Sequence, residues 1–122
     1  MYVETDFIVA LIKDSDWLKQ SAEKVYEDKK DQLWTSKYTL IELLILSERN
    51  EWNPVKIISA ATQLVEVDED TEDVKAAASH MEENDYTPFD ALHLVKSGKD
   101  KIISSDKDYD QQSERLELEE MQ

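Results

Sequence analysis

Apolar and polar residues follow one another along this chain in a pattern that predicts short buried strands between amphipathic helices. The longer blocks repeat apolar positions every three or four residues, which is the period of a helix with one buried face. Between them lie short apolar runs bounded by polar residues, as is typical of buried strands. The sequence has one glycine and two prolines, which favours long regular elements joined by short turns.

The pattern places these elements in alternating order. Strands are predicted at 2–6, 33–35, 65–67, 101–104 and, more briefly, 116–118, with helices at 7–12, 17–28, 37–48, 54–64, 72–84 and 88–98. Helices that alternate with short apolar strands indicate a parallel sheet covered on both faces, so we expect an α/β fold. The length of 122 residues suits a single domain over residues 1–122.

Residues that start and stop helices support these boundaries. Ser36, Asn53 and Thr71 stand where N-caps are expected, and proline follows Asn53 at the first helical position. Thr87 precedes proline in the same way, and Gly98, the only glycine, stands where that helix should end.

The composition changes the functional expectation. There are 14 Lys and Arg against 29 Asp and Glu, a formal net charge of −15, with 40% hydrophobic and 35% charged residues. Such a surplus is unfavourable for an ordinary nucleic-acid binder, which neutralises phosphates with a basic face, and for docking on anionic membranes. The periodic apolar blocks argue against a disordered acidic chain. An acidic surface of this kind is typical of a salt-loving source.

Other classes are excluded by what the sequence lacks. Without cysteine, a disulfide scaffold, a thiolate metal site and a cysteine nucleophile are impossible. The first residues carry acids where a signal peptide is basic, and no apolar run approaches the ~20 residues of a membrane span. We therefore expect a cytoplasmic protein without membrane association.

Four carboxylates from distant segments are candidates for one site. Ligands of an open parallel sheet bind beyond the carboxyl ends of its strands. Asp6 ends the first predicted strand, Asp106 closely follows the strand at 101–104, and Asp90 lies in the first turn of a helix. Glu42 is the lone acid of the most apolar helix, so we expect it to be buried and to need a proton, a cation or a metal.

Each of these acids also has a purely structural explanation. Asp6 could cap the helix beginning at residue 7, and Asp90 could complement the positive end of its helix. Glu42 could form a capping box with Thr39, although a helix starting there would discard residues 37 and 38. Asp106 could belong to a solvated acidic turn.

Taken in order, these segments resemble the PIN-domain family, especially the single-domain VapC-type toxin ribonucleases of prokaryotes. Residues 3–6 (VETD) are similar to the family's first strand with its aspartate, and 36–43 (SKYTLIEL) to its helix with a glutamate. Residues 87–94 (TPFDALHL) resemble its best-marked block, and 103–109 (ISSDKDY) resemble its late strand, hydroxyl residue, aspartate and aromatic residue.

The resemblance implies a three-layer α/β/α sandwich with a mostly parallel sheet of four or five strands. It also implies a Mg²⁺- or Mn²⁺-dependent endoribonuclease, the toxin of a VapBC-type toxin–antitoxin pair, with an antitoxin partner and a homodimer. Asp6, Asp90 and Asp106 are the expected direct metal ligands, and Glu42 binds directly or through water. An all-oxygen donor set suits these hard ions. Asp108 and Asp110 are reserves for the fourth acid, and Ser104 could hold a ligand or water.

Other residues of chemical interest have ordinary interpretations. His80 and His93 are expected to be packing or surface residues, and Trp34 to be core, whereas Trp17 and Trp52 could stack on bases. A basic rim near the strand ends is a further hypothesis, formed by Lys13, Lys37, Lys96, Lys99, Lys101 and Lys107, with Arg49 as one of two arginines. The alternative functions are a catalytically silent interaction module and a structure-specific DNA nuclease.

Overall fold

Six α-helices and four short strands form the part of the chain that this computed structural model describes, residues 1–121. The helices are α1 (Thr5–Ile12), α2 (Lys19–Lys29), α3 (Lys37–Asn50), α4 (Pro54–Leu64), α5 (Glu72–Asn84) and α6 (Pro88–Ser97). The strands are β1 (Trp34–Thr35), β2 (Glu66–Val67), β3 (Ile102–Ser104) and β4 (Arg115–Glu117). The α/β class is confirmed, in a chain that is rich in helix.

The strands are parallel, but their arrangement differs from the expected sheet. β1 pairs with β2, and Tyr2 adds an isolated parallel bridge to Trp34 on the other side of β1. β3 pairs with β4, with Ile103 opposite Leu116. Within residues 1–121 the strands therefore form two separate two-stranded sheets, where one sheet of four or five strands was predicted.

The predicted strand at 2–6 is the clearest local error. Its pairing stops at Val3, whose N–H donates to the Trp34 carbonyl at 2.9 Å and whose carbonyl accepts from Thr35 Oγ1 at 2.9 Å. α1 begins at Thr5, with Glu4 in the extended conformation before it. Asp6 therefore lies in the first turn of a helix and not at the end of a strand.

The core is built mainly by α3 and the helices around it. Leu40, Leu43 and Leu44 are completely buried on α3, and Ile58 of α4 and Val74 of α5 are nearly so. α4 packs against α3 and α5, and α5 packs against α6. This packing fixes the start of α6, which carries Asp90, against the rest of the molecule.

All four predicted N-cap residues stand at the N-cap positions of their helices, and the side chains of two of them make the capping hydrogen bond. The Asn53 side chain accepts from the Lys56 N–H at 3.1 Å, and Thr87 Oγ1 accepts from the Asp90 N–H. Ser36 precedes α3 but makes no capping bond, because its hydroxyl is hydrogen-bonded to that of Tyr2 at 2.8 Å. Thr71 also makes none. None of the helices within residues 1–121 is both long and apolar enough to cross a membrane.

Candidate metal centre

Three carboxylates meet where the start of α6 approaches the end of β3. Asp90, Asp106 and Asp108 each place one oxygen within 4.8 Å of the other two. Asp90 and Asp106 are half-buried and Asp108 is exposed, so the cluster has a protected base and an open side. The structure thus brings together two of the four acids predicted as a cluster, with Asp108, which was only a reserve.

Local sequence signals explain how these acids are presented. Thr87 caps α6 at a distance of 3.4 Å, and Pro88 fits the first helical position, which places Asp90 in the first turn. After β3, Ser104 Oγ accepts from the Asp106 N–H at 2.9 Å, and Asp106 Oδ1 accepts from the Asp108 N–H at 2.9 Å. These bonds form a tight turn that points two acids in the same direction as Asp90.

Two buried tyrosines lie beside the cluster. Tyr109 donates a hydrogen bond of 3.2 Å to Asp90 Oδ1, and Tyr86 donates one of 2.8 Å to the Asp108 carbonyl. Burial, and then the charge of Asp90, raise the pKa of Tyr109 to about 12. Burial, and then the charge of Asp108, also raise the pKa of Tyr86. Both hydroxyls are therefore neutral hydrogen-bond donors at physiological pH.

Arg115 binds both ends of the segment that carries Asp106 and Asp108, at Ser104 and at Asp110. Its side chain is 1% exposed and bonds to Asp110 and Glu119, and its Nη1 donates to the Ser104 carbonyl at 2.7 Å. The hydrogen bond from Arg115 lowers the pKa of Asp110, and the same interaction lowers that of Glu119. Asp110 is therefore engaged in an ion pair with Arg115 and is not among the three clustered carboxylates.

Asp6 and Glu42 line one depression together. They line its wall with Glu4 and Asp16, beside the ring of Trp17. Within residues 1–121, the three-carboxylate group that could hold a metal does not include Asp6 or Glu42. The structure therefore places these two predicted acids beside one common depression, outside the group formed by Asp90, Asp106 and Asp108.

The expectation that Glu42 is buried is wrong. The buried face of α3 is formed by positions 39, 40, 43, 44 and 47, and Glu42 projects to solvent. It needs no partner to compensate burial. The helix begins at Lys37 and not at Thr39, so the capping-box explanation for Glu42 does not apply either.

The remaining predicted residues have varied environments. His93 is exposed, whereas His80 is half-buried with its ring 6.3 Å from that of Tyr86. Trp34 is 41% exposed and packs edge-on against Tyr2, so its assignment to the core is wrong. Trp17 is 87% exposed.

Half of the proposed basic rim is engaged elsewhere. Lys37 forms an ion pair with Asp73 at 2.9 Å, and Lys101 lies 4.0 Å from Glu114. Lys13 lies over the Trp52 ring at 4.6 Å. Lys96, Lys99 and Lys107 are exposed, and Lys107 stands between two acids of the cluster.

The cluster suits a hard divalent cation. Its donors are all carboxylate oxygens, which Mg²⁺ and Mn²⁺ prefer. The oxygens of Asp90, Asp106 and Asp108 lie within 4.8 Å of one another, so these three residues would hold such an ion.

Sequence reasoning overlooked the residues that hold these acids in place. The sequence marks Tyr109 only as the aromatic residue of the segment 103–109, and it carries no signal at Tyr86. For Arg115 a signal was present, since it is one of two arginines and is flanked by acids on both sides. A buried arginine among carboxylates is typical of a structural ion-pair network.

Comparison with known proteins defines the class to which this fold and site belong. The sequence matches the PIN domain over residues 1–114, which is nearly the whole chain. The chain therefore belongs to the PIN domain family. Neither the curated proteins nor the solved structures contain a significant match. Family membership suggests nuclease activity with a divalent metal, and the three-carboxylate cluster supplies a possible site for that metal.

Proposed function

We propose that this protein is a Mg²⁺- or Mn²⁺-dependent endoribonuclease that hydrolyses RNA phosphodiester bonds. The observation that carries the proposal is the group Asp90, Asp106 and Asp108, three convergent carboxylates in a PIN domain. Structural caps alone do not account for it, because the side chains of Asp106 and Asp108 reach the same point as that of Asp90, which belongs to another element.

Within this proposal the three clustered aspartates hold the metal. When bound, a divalent ion lowers the pKa of a coordinated water and stabilises the charge of the reacting phosphate. Asp90 keeps one oxygen on Tyr109 and offers the other, while Asp106 keeps one on the Asp108 N–H. Each side chain is thus oriented by a hydrogen bond that leaves an oxygen available.

Asp6 and Glu42 are proposed as a second acidic pair of the same active site. They come from α1 and α3, which pack against each other, and both side chains are exposed to solvent. Their role is to bind metal, directly in the case of Asp6 and directly or through water in the case of Glu42. Glu4 lines the same depression and is a further acid there.

The net charge of −15 opposes RNA binding at low ionic strength. Lys107 is exposed and lies between Asp106 and Asp108 in the sequence, so it is the lysine next to the cluster, whereas Lys96 and Lys99 are exposed near the opposite end of α6. At 0.1 M salt, the repulsion between exposed charges that are more than about 10 Å apart is largely screened. Activity is therefore expected to require metal and moderate to high salt, in accord with a halophilic source and a cytoplasmic setting.

The proposed biological role is that of the toxin in a VapBC-type pair, inhibited by a small antitoxin. An apolar depression of about 180 Å³ between α1 and α2 supports a protein partner at this place. It is lined by Phe7, Leu18 and Val25, next to Asp6 and beside the exposed Trp17. A segment with apolar side chains could fill it, and an arginine of that segment could reach the acids. A homodimer is part of the same proposal.

The decisive experiment compares RNA cleavage by the wild type with cleavage by Asp90→Asn and Asp6→Asn, with and without Mn²⁺. We expect metal-dependent cleavage by the wild type and a loss of about 100-fold or more in each variant, because each removes a ligand charge. Asp28→Asn is the matched control, since Asp28 is exposed on α2. Equal rates in all four proteins would overturn the proposal.

The same assay separates the alternatives. Parallel reactions contain single-stranded RNA, structured RNA, duplex DNA and branched DNA in high salt. Cleavage of DNA in preference to RNA indicates the structure-specific DNA nuclease. No cleavage of any substrate by metal-loaded wild type indicates a silent interaction module.

The partner and the dimer are tested separately. The first step is to look for a short antitoxin-like reading frame immediately upstream of the gene, whose co-expression is expected to give a stable complex with inhibited cleavage. Light scattering coupled to gel filtration measures the mass against the 14.2 kDa of one chain. A monomeric mass at micromolar concentration would contradict the homodimer.

A further inference from the structure

Two tyrosines form a buried stacked pair below the carboxylate cluster. The rings of Tyr86 and Tyr109 are 6.4 Å apart with an angle of 22° between their planes, and the residues are 7% and 5% exposed. Tyr86 lies just before α6, whereas Tyr109 belongs to the 3-10 helix Lys107–Gln111 that follows the end of β3. The pair therefore joins the two segments that carry the three acids.

Their hydroxyl groups cross between these segments. Tyr109, from the Asp108 segment, donates to the side chain of Asp90 at 3.2 Å. Tyr86, from the Asp90 segment, donates to the backbone carbonyl of Asp108 at 2.8 Å. The hydroxyl of Tyr109 thus binds the segment that carries Asp90, and the hydroxyl of Tyr86 binds the segment that carries Asp108.

The chemistry of these contacts suits a metal centre. A neutral hydroxyl on Asp90 Oδ1 orients the carboxylate without cancelling its charge, so the other oxygen keeps its affinity for a cation. A lysine or arginine in the same place would compete with the metal. Phenylalanine would fill the same space and keep the ring stacking, but would not donate.

We infer that Tyr109 and Tyr86 are positioning residues of the metal centre, with Tyr109 orienting the Asp90 carboxylate and Tyr86 fixing the backbone that presents Asp108. This inference rests on the proposed function in one respect, namely that the cluster binds a divalent cation. Tyr109 has the larger role because it bonds directly to a ligand side chain.

The test is metal affinity, which does not depend on cleavage. Binding of Mn²⁺ to the full chain is measured by calorimetry for the wild type, Tyr109→Phe and Tyr86→Phe. We expect Tyr109→Phe to bind about 10- to 100-fold more weakly, as is typical when a hydrogen bond to a metal ligand is removed. A smaller loss is expected for Tyr86→Phe, which removes only a contact to the backbone.

Tyr26→Phe is the matched control. The hydroxyl of Tyr26 also donates to a backbone carbonyl, that of Leu64 at 3.0 Å, and this bond is partly buried. It links α2 to α4 and is not part of the carboxylate cluster. Its loss is expected to lower thermal stability and leave Mn²⁺ affinity unchanged. Circular dichroism shows whether each variant is folded. If Tyr109→Phe does not fold, the Mn²⁺ affinity of Tyr86→Phe is the test.

Ion selectivity provides a second measurement. Mg²⁺ demands near-octahedral geometry, whereas Ca²⁺ accepts flexible coordination. Loss of the orienting hydroxyl should therefore weaken Mg²⁺ more than Ca²⁺ in competition with Mn²⁺. An equal loss for both ions, or a Mn²⁺ affinity of Tyr109→Phe within twofold of the wild type, would overturn the inference. Failure of the wild type itself to bind Mn²⁺ would instead overturn the metal site of the proposed function, and the inference with it.

Discussion

Arg115 and Asp110 form a two-pronged ion pair, with Nε 2.7 Å from Oδ1 and Nη2 3.0 Å from Oδ2. The same guanidinium donates to the carbonyl of Ser104, the last residue of β3. A planar five-donor group can make all of these contacts at once, whereas an ammonium group cannot. Arg115 thereby joins β4 to the turn that bears Asp106 and Asp108.

We expect Arg115→Lys to lower the thermal unfolding midpoint by several degrees and to weaken Mn²⁺ binding. The lysine keeps the positive charge but cannot make the two parallel hydrogen bonds of a guanidinium, so the turn that carries Asp106 and Asp108 is held less firmly. Arg49→Lys is the control, because Arg49 is the other arginine and is exposed near the end of α3. Scanning calorimetry gives the midpoints. Identical midpoints for the two variants would contradict a structural role for Arg115.

Divalent metal is expected to stabilise the folded protein. Three carboxylates with oxygens within 4.8 Å repel one another without a cation. A ligand present at 100 times its Kd stabilises the folded state by about 2.7 kcal/mol. MgCl₂ should therefore raise the unfolding midpoint of EDTA-treated wild type above that in KCl of equal ionic strength.

Asp90→Asn and Asp106→Asn supply the matching variants for this prediction. Each removes one of the repelling charges, so each should be at least as stable as the wild type in EDTA and should gain little from Mg²⁺. Asp28→Asn should behave as the wild type. A Mg²⁺ shift that persists in Asp90→Asn would place the metal elsewhere.

The contrast between Asp90 and Glu42 shows what could be predicted from sequence. Asp90 was placed correctly because Thr87 and Pro88 are local signals, and the caps of a helix lie within four residues of its start. The environment of Glu42 depends on which face of α3 the other helices cover, and that is a property of tertiary packing. A run of leucines around an acid does not show on which side the acid projects.

Pairing between strands was predicted less well than the strands themselves. Four of the five predicted short strands are present within one or two residues, but their partners are non-local. β1 and β2, for example, pair across an interval that contains both α3 and α4. The Tyr109 contact with Asp90 is also non-local, so the residues that orient the cluster could be identified only from the folded chain.

Acid sensitivity is expected at the ion pair between Lys37 and Asp73, which joins the starts of α3 and α5. Burial tends to raise the pKa of Asp73, but hydrogen bonds from Lys37 and from the Val74 N–H outweigh it, so the pKa is lowered. The unfolded carboxyl has a pKa of about 3.9. Since the folded pKa is the lower one, its stabilisation is present above pH ~4 and is lost as the pH falls through the folded value.

The measurement is the difference in unfolding midpoint between the wild type and Asp73→Asn across pH 2 to 7. We expect the wild type to be more stable at neutral pH and the difference to shrink below pH about 4. The hydrogen bond to Asp73 raises the pKa of Lys37, so the contribution of that lysine is lost only as the pH rises through its raised value. A difference independent of pH on the acid side would contradict this account.

Gly98 ends α6 in a conformation that other residues rarely adopt, with φ +59° and ψ −118°. A Cβ built there meets nothing within 4 Å, so Gly98→Ala changes the backbone energy and not the packing. Such a strained conformation costs of the order of 1–3 kcal/mol. Urea unfolding should therefore show Gly98→Ala to be less stable by about that amount, with an unchanged dependence on urea concentration.

The opposite substitution is available at the end of α3, where Glu51 has φ +58° and ψ +36°. Glycine relieves the left-handed strain of about 1–2 kcal/mol but adds freedom to the unfolded chain, worth about 0.4–1 kcal/mol. Glu51→Gly is therefore expected to be neutral or slightly stabilising. If Gly98→Ala were as stable as the wild type while Glu51→Gly lost stability, the left-handed backbone at these two positions would not carry the expected strain energy.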